Sequence, residues 1–298
     1  MLANFFKMND SFLASCLYFE LFGVPFPIEQ VERYAFQSGK SVDFRTFWEA
    51  RYAKSSFLES AVEKQKLAAL FWRKVESWRW LFQLCPFLDL VAVCNSLPLG
   101  ILNQESDIDL FIVARPGRLF LARSVVTILS SLFGIRRHGK KIRKRFCLSF
   151  FVDGSCLDLS GIALQPQDIY LAYWMRGLEP INGEWKIYEA FLQKNEKWLK
   201  DYFSLPFQAK QHFKERPLLI RWGKSVLEAL LDWDFLENIL RDFQLKRIQQ
   251  KLSQSKTGSG VVANEKMLKF HEKDARAQIQ ADWLKALDCD DDHGRSAS

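Results

Sequence analysis

The sequence predicts an α+β protein: a small mixed β-sheet flanked by helices, with one helical region before it and another after. Three observations predict this. Short apolar, β-rich runs bounded by turn residues fall in the middle of the chain, at 88–94, 107–114 and 146–152. A long apolar stretch closed by Gly134 separates the second run from the third. On either side, apolar residues recur every three or four positions, the period of a buried helical face.

The N-terminal region, 1–82, reads as a helical module. Ser11–Phe22 is one helical piece, and Gly23-Val-Pro-Phe-Pro27 breaks it. Ile28–Gln37 resumes, because Pro27 suits a first helical turn, and Gly39 ends it. Ser41–Ala50 is short and amphipathic. Ser56–Leu81 is long and unbroken, with Leu67, Leu70, Phe71, Val75 and Trp78 at helical spacing. Short helices before a longer one are reminiscent of a winged-helix module and equally of unrelated folds.

The core, 83–162, opens at Pro86. Leu88–Cys94 is a buried strand, and Asn95-Ser96 ends it. Leu97–Ser106 is a loop, Asp107–Ala114 a second strand, Pro116-Gly117 a turn. Leu119–Phe133 is a helix. At Leu119–Ile135 the run is too short and too diluted by Arg123 and hydroxyl residues to cross a membrane, so it is expected to be a buried helix. Phe146–Val152 is a third strand. Asp153-Gly154 signals a turn, with Cys156–Leu159 as the expected hairpin partner. A C-terminal helical domain, 163–287, follows in pieces at Asp168–Gly177, Trp185–Phe203, Pro217–Lys251 and Glu265–Leu287. Gln254–Gly260 reads as a linker, and 288–298 as a disordered tail.

Of the 298 residues 48% are hydrophobic and 26% charged, the balance of a globular protein, and 26 Phe with 10 Trp point to well-packed helices. Trp174, Trp185, Trp198, Trp222, Trp233 and Trp283 are expected in helix cores. A net charge of +7 favours anionic partners such as nucleotides or nucleic acid. None of the six cysteines forms a C-x-x-C pair or has a His at metal-ligand spacing. They read as reduced core thiols of a cytoplasmic protein.

The chemistry concentrates in Val91-Ala-Val-Cys-Asn95-Ser96, ten residues, then Asp107-Ile-Asp109-Leu110. Two carboxylates two apart on a strand share a face. Their mutual repulsion is costly unless a cation sits between them. Hard oxygen ligands in an incomplete cage suit Mg²⁺ (or Mn²⁺) bound jointly with substrate phosphates, the arrangement of metal-assisted phosphoryl transfer. A tight turn at Asn95 and Ser96 can aim backbone N–H groups and the Ser96 hydroxyl at a triphosphate. In the competing reading, Asp107 and Asp109 only flank a strand start, with Asp107 capping a turn.

Strand, small polar turn, gap and D-x-D entering a strand resemble the signature of the DNA polymerase β-type nucleotidyltransferases. Tyr18–Phe22, Ser106–Val113, Arg145–Phe151 and Tyr170–Trp174 extend the likeness to a group of bacterial nucleotidyltransferase-like proteins. The resemblance implies that Asp107 and Asp109 bind the catalytic metal and that Ser96 contacts phosphate. Asn95 stands where the family usually has Gly, and Asn is the non-glycine residue that best tolerates positive φ. It further implies a third carboxylate on the strand beside the D-x-D strand, at the centre of Phe146–Val152. That centre is Ser149. Asp153 shares its parity but lies further along, and Asp158 falls on the expected hairpin partner.

The run Arg136–Arg145 has seven basic residues in ten, placed to hold a triphosphate, to track a nucleic-acid backbone or simply to be solvated. His138 within it and His271, in a charged stretch read as helical, are expected at the surface. The expected activity is transfer of a nucleoside monophosphate from an NTP to an unidentified acceptor hydroxyl. Its rivals are a nucleotide-binding regulatory protein and a nucleic-acid-binding protein using the N-terminal helices and the basic run.

Overall fold

The computed structural model describes residues 10–36, 44–53, 55–203, 212–254, 260–270 and 274–295. In chain order the helices α1 (Asp10–Glu20), α2 (Val31–Tyr34), α3 (Phe44–Tyr52) and α4 (Phe57–Leu84) lead to strand β1 (Leu88–Val93). A short helix α5 (Ser96–Leu99), strand β2 (Ile108–Ala114), helix α6 (Leu119–Leu132) and strand β3 (Phe146–Asp153) follow. The remainder is α7 (Ile169–Arg176), β4 (Glu179–Gly183), α8 (Trp185–Leu199), α9 (Leu218–Leu231), α10 (Asp234–Gln254), β5 (Val261–Ala263), β6 (Met267–Phe270) and α11 (Arg276–Arg295).

The strands form one mixed sheet of order β4-β1-β2-β3-β6-β5. β2 and β3 run parallel, with α6 as their crossover; every other pair is antiparallel. All residues of β1, β2 and β3 are buried, as strands covered on both faces must be. Leu110, Ile112 and Ala114 share one face with Phe82, Phe120 and Val126, the core under α4 and α6. Phe111 and Val113 share the other with Trp174, Tyr188 and Phe191, from α7 and α8.

The N-terminal helices join a third cluster rather than standing apart. Tyr18 stacks on Tyr173 of α7 at 3.8 Å, and the Trp283 indole of α11 donates to the Ala14 carbonyl at 2.9 Å. A buried Arg33–Glu179 ion pair at 3.1 Å ties α2 to β4. The described residues before β1 contain helices and no strand that would serve as a wing. Residues 37–43, part of two expected helical pieces, lie outside the described ones.

Several expectations need correction. Cys156–Leu159 is not a hairpin partner: Ser155 and Cys156 turn back onto Asp153, and β3 pairs with β6 instead. Glu265–Leu287 is not one helix. Met267–Phe270 is a strand, closed into a hairpin with β5 by Asn264, whose side chain accepts from the Lys266 and Met267 amides. His271 and most of the 254–260 linker lie outside the described residues. α11 runs through Arg295, so the tail read as disordered is helical to that point. Pro217–Lys251 is two helices, parted at Asp232 and Trp233. α6 buries one face only, with Ile128 and Leu132 exposed. Trp174 and Trp283 are core residues, but Trp222, on the outer side of α9, and Trp233, in the link after it, are exposed. Among the described residues no helix is long and apolar enough to cross a membrane.

Candidate metal and nucleotide site

The site lies where β2 begins beside β3. The parallel register sets Asp109 opposite Cys147. Ligand atoms of Asp107, Asp109 and Cys147 lie within 4.8 Å of one another, so the two predicted carboxylates do converge. Asp109 is buried and Asp107 half-buried. Burial, then the neighbouring Asp107 charge, push the Asp109 carboxyl up to about 6, against the pull of Asn95, Cys147 and Arg137. Burial and the same two carboxylates push the Cys147 thiol up.

Asn95 sits in the turn leaving β1, at φ 66° and ψ −133°. This backbone region belongs to glycine and costs another residue on the order of 1–3 kcal/mol. Two side-chain hydrogen bonds hold it there. The Asn95 amide donates to Asp109 at 2.8 Å, and its carbonyl accepts from the Tyr170 hydroxyl of α7. Asn95 thus holds a conformation normally left to Gly, and its side chain links the turn to the Asp109 carboxylate. Ser96 follows, half-buried, as the first residue of α5.

The basic run is anchored at both ends of this site. The Phe146 amide donates to the Ile135 carbonyl and the Arg137 amide to Phe146, each at 2.9 Å, laying the run's start along β3. Its end is tied in by Lys144 N–H to Ser106 and by Ile108 N–H to Arg145, at 3.0 and 2.8 Å. As a result the Arg137 guanidinium reaches Asp107 at 2.6 Å and lies 3.8 Å from the Cys147 sulfur. His138, Lys140, Lys141 and Arg143 are exposed.

Neither candidate third carboxylate joins the cluster. The β2–β3 register shifts between Asp109 and Phe111, and the extra residue breaks the parity argument along β3. Asp153 lies six residues beyond Cys147, roughly 20 Å along the strand, and bonds to the Gly117 amide at the start of α6. Asp158 caps its own turn by accepting from the Ser160 amide. The strand position beside Asp109 belongs to Cys147, a residue that reads as a core thiol in sequence. Arg137 and Tyr170 likewise had no individual signal, since both act through contacts across the fold.

Two adjacent carboxylates suit a hard divalent cation whose remaining ligands are water and phosphate oxygens. Cys147, the third potential ligand of the cluster, is a soft donor and a poorer match for such a cation. Comparison of the chain with family models, curated proteins and solved structures finds no match.

Proposed function

We propose that the chain is a Mg²⁺- or Mn²⁺-dependent nucleotidyltransferase that moves a nucleoside monophosphate from an NTP to an acceptor hydroxyl and releases pyrophosphate. The observation that carries this is the convergence of Asp107 and Asp109 within 4.8 Å, beside a turn held at positive φ by Asn95. When bound, the cation lowers the pKa of the attacking hydroxyl and neutralises charge on the leaving phosphate oxygens. Asp107 and Asp109 would hold it. The Asn95–Ser96 turn faces the phosphates. Arg137, paired with Asp107 at 2.6 Å, would supply a guanidinium to a phosphate oxygen at this site.

In the reaction the acceptor oxygen attacks the α-phosphorus, the α–β P–O bond breaks and pyrophosphate leaves with that electron pair. Among the described residues no third carboxylate joins the pair to take the acceptor's proton, and Cys147 stands beside Asp109 with burial pushing its thiol pKa up. The proton passes to solvent or to a group of the acceptor, which makes for a slow enzyme. The same observation favours a second reading, a protein that binds nucleotide and metal without turnover.

Incubation with each α-³²P-labelled NTP and Mg²⁺ or Mn²⁺, with total RNA, total protein or the chain alone as acceptor, tests both. Label transfer that disappears in Asp107→Asn/Asp109→Asn supports the transferase and identifies the acceptor class. Metal-dependent nucleotide binding through the same residues without transfer supports the second reading. Nucleic-acid binding that weakens steeply with salt yet survives the double substitution points instead to the basic run as a nucleic-acid contact.

A further inference from the structure

Helices α9 and α10 leave a broad set of large apolar side chains in solvent. On α9, Leu218, Leu219, Trp222, Val226 and Leu230 fall within about 120° of one another on a helical pitch of 3.6 residues. That is a broad apolar stripe of the kind that normally points into a core. Here it points out: Leu219 is 83% exposed and Trp222 71%. Trp233, in the link, and Phe235, Ile239 and Phe243 of α10 are exposed as well.

Each helix buries its opposite side and anchors it with polar groups; on α10 these sit beside Leu236, Leu240, Leu245 and Ile248, which pack into the core under α4 and α6. On α9 the Lys224 ammonium donates to the Leu88 carbonyl at 2.8 Å, and Glu228 accepts from the Phe87 amide at 2.9 Å and pairs with Arg115 at 3.0 Å. On α10 the Glu237 carboxylate accepts from the Phe120 and Leu121 amides, at 2.9 and 2.8 Å, and so caps α6. Gln244 donates to the Phe120 carbonyl at 3.0 Å. A Cβ at Gly223 would meet Leu84 of α4 at 3.2 Å, which fixes the α9 contact face independently. Rolling either helix to bury its stripe would orphan these groups, so the stripe is locked outward.

We propose that this face is the interface of a homodimer, covered by the same face of a second copy. The exposed side chains amount to on the order of 1,000 Å² of apolar surface, beyond the few hundred Å² usual on a monomer. That is comparable to the roughly 800 Å² each partner gives to a stable interface. Charge selects the partner. The chain carries +7, yet 218–254 holds six basic and five acidic residues, so the face does not repel its own copy. An anionic membrane is a poorer fit: helices that lie on lipid carry a polar face rich in Lys and Arg, whereas 218–254 is close to neutral. The proposal does not depend on the transferase reading.

The test is sedimentation velocity of the full chain from about 1 to about 100 µM, alone and with phosphatidylcholine–phosphatidylserine vesicles. A dimer is expected, and Leu219→Glu/Trp222→Glu should weaken it about 30-fold or more. Thermal melting should stay close to that of the parent monomer, because both side chains are exposed. Val62→Glu, placed by the length of α4 about 30 Å from Leu84, should leave the dimer intact. Emission from Trp222 and Trp233 should shift to the blue as dimer forms. A monomer over the whole range overturns the proposal, as does a dimer indifferent to the double substitution or broken by Val62→Glu. Vesicle binding by a monomer overturns it in favour of lipid. An open series of aggregates does so too, because a face that pairs with itself closes at two copies.

Discussion

Asp109 and Asp153 are buried carboxylates at opposite ends of one parallel strand pair, and they are provisioned in opposite ways. Asp153 receives the Gly117 amide at 2.7 Å, the Ser155 amide at 2.9 Å, the Ser155 hydroxyl and, at 3.4 Å, the Lys266 ammonium. Burial works to raise its pKa, but those donors hold it below the usual carboxylate range. Asp109 has the Asn95 amide and the Cys147 thiol, set against a like charge beside it, and its carboxyl is pushed up to about 6. A buried charge that is fully met belongs to the structure. One that is left in deficit beside another carboxylate is a candidate for cation binding.

The strongest way to break this contrast is to remove each charge in turn. Asp109→Asn should lower nucleotidyl transfer by at least about 1,000-fold while the fold persists, since loss of a metal ligand removes the electrostatic stabilisation of the transition state. Labelled-NTP transfer and melting in chelator check both halves. Asp153→Ala should do the reverse: transfer per folded molecule unchanged, and stability lowered by about 3 kcal/mol because buried donors are orphaned. In calorimetry that is a fall of roughly 5–10 °C.

A subtler substitution sharpens the comparison. Cys147→Asp puts a third carboxylate at the register position beside Asp109. It should raise transfer about tenfold in saturating Mg²⁺, within the range of a positioned base, and lower the metal-free melting temperature through added repulsion. Unchanged transfer with tighter Mg²⁺ binding would favour the reading without turnover.

The smallest effect is in pH. Asp109 binds its proton more tightly folded than unfolded, so in chelator its contribution makes stability rise as pH falls from 7 through about 6 toward the unfolded value near 4. Asp153 gives stability that is present above the unfolded value and lost only as pH falls through its lowered folded one. Asp109→Asn should therefore flatten the melting profile between pH 7 and 4, and Asp153→Asn should alter it only below that window.

What was legible in sequence was whatever depends on local pattern. β1, β2, β3 and α6 could be read from apolar runs and turn residues, and Asp107 and Asp109 from their spacing. β4 could not: Glu-Pro-Ile-Asn-Gly has little strand propensity and is held as an edge by Leu90–Val93, the Arg33–Glu179 pair and the Asn182 amide on the Phe82 carbonyl. β6 was misread because Glu265, Lys266 and Lys269 give Met267–Phe270 a helical look. The better signal was Val261-Val262 followed by the turn-forming Asn264. Cys147 was out of reach for a different reason. Its place beside Asp109 follows from a parallel register set through α6, and a register shift undid the parity count that led toward Asp153. The exposed stripe of α9 was visible as periodicity, but periodicity says only that a stripe exists. Lys224 and Glu228 decide which way it faces.

The two rims of the sheet bear on how copies can meet. One rim is β4, where Pro180 lacks an amide hydrogen and the pairing with β1 slips between Val91 and Ala92; the other is β5, only three residues long. Neither offers an unbroken row of backbone donors and acceptors, so the sheet cannot grow into a ribbon by recruiting strands from a neighbour. Backbone polymerisation is closed off at both margins, and any assembly of this chain is left to its side chains, whose fit can be specific and can stop at a fixed number.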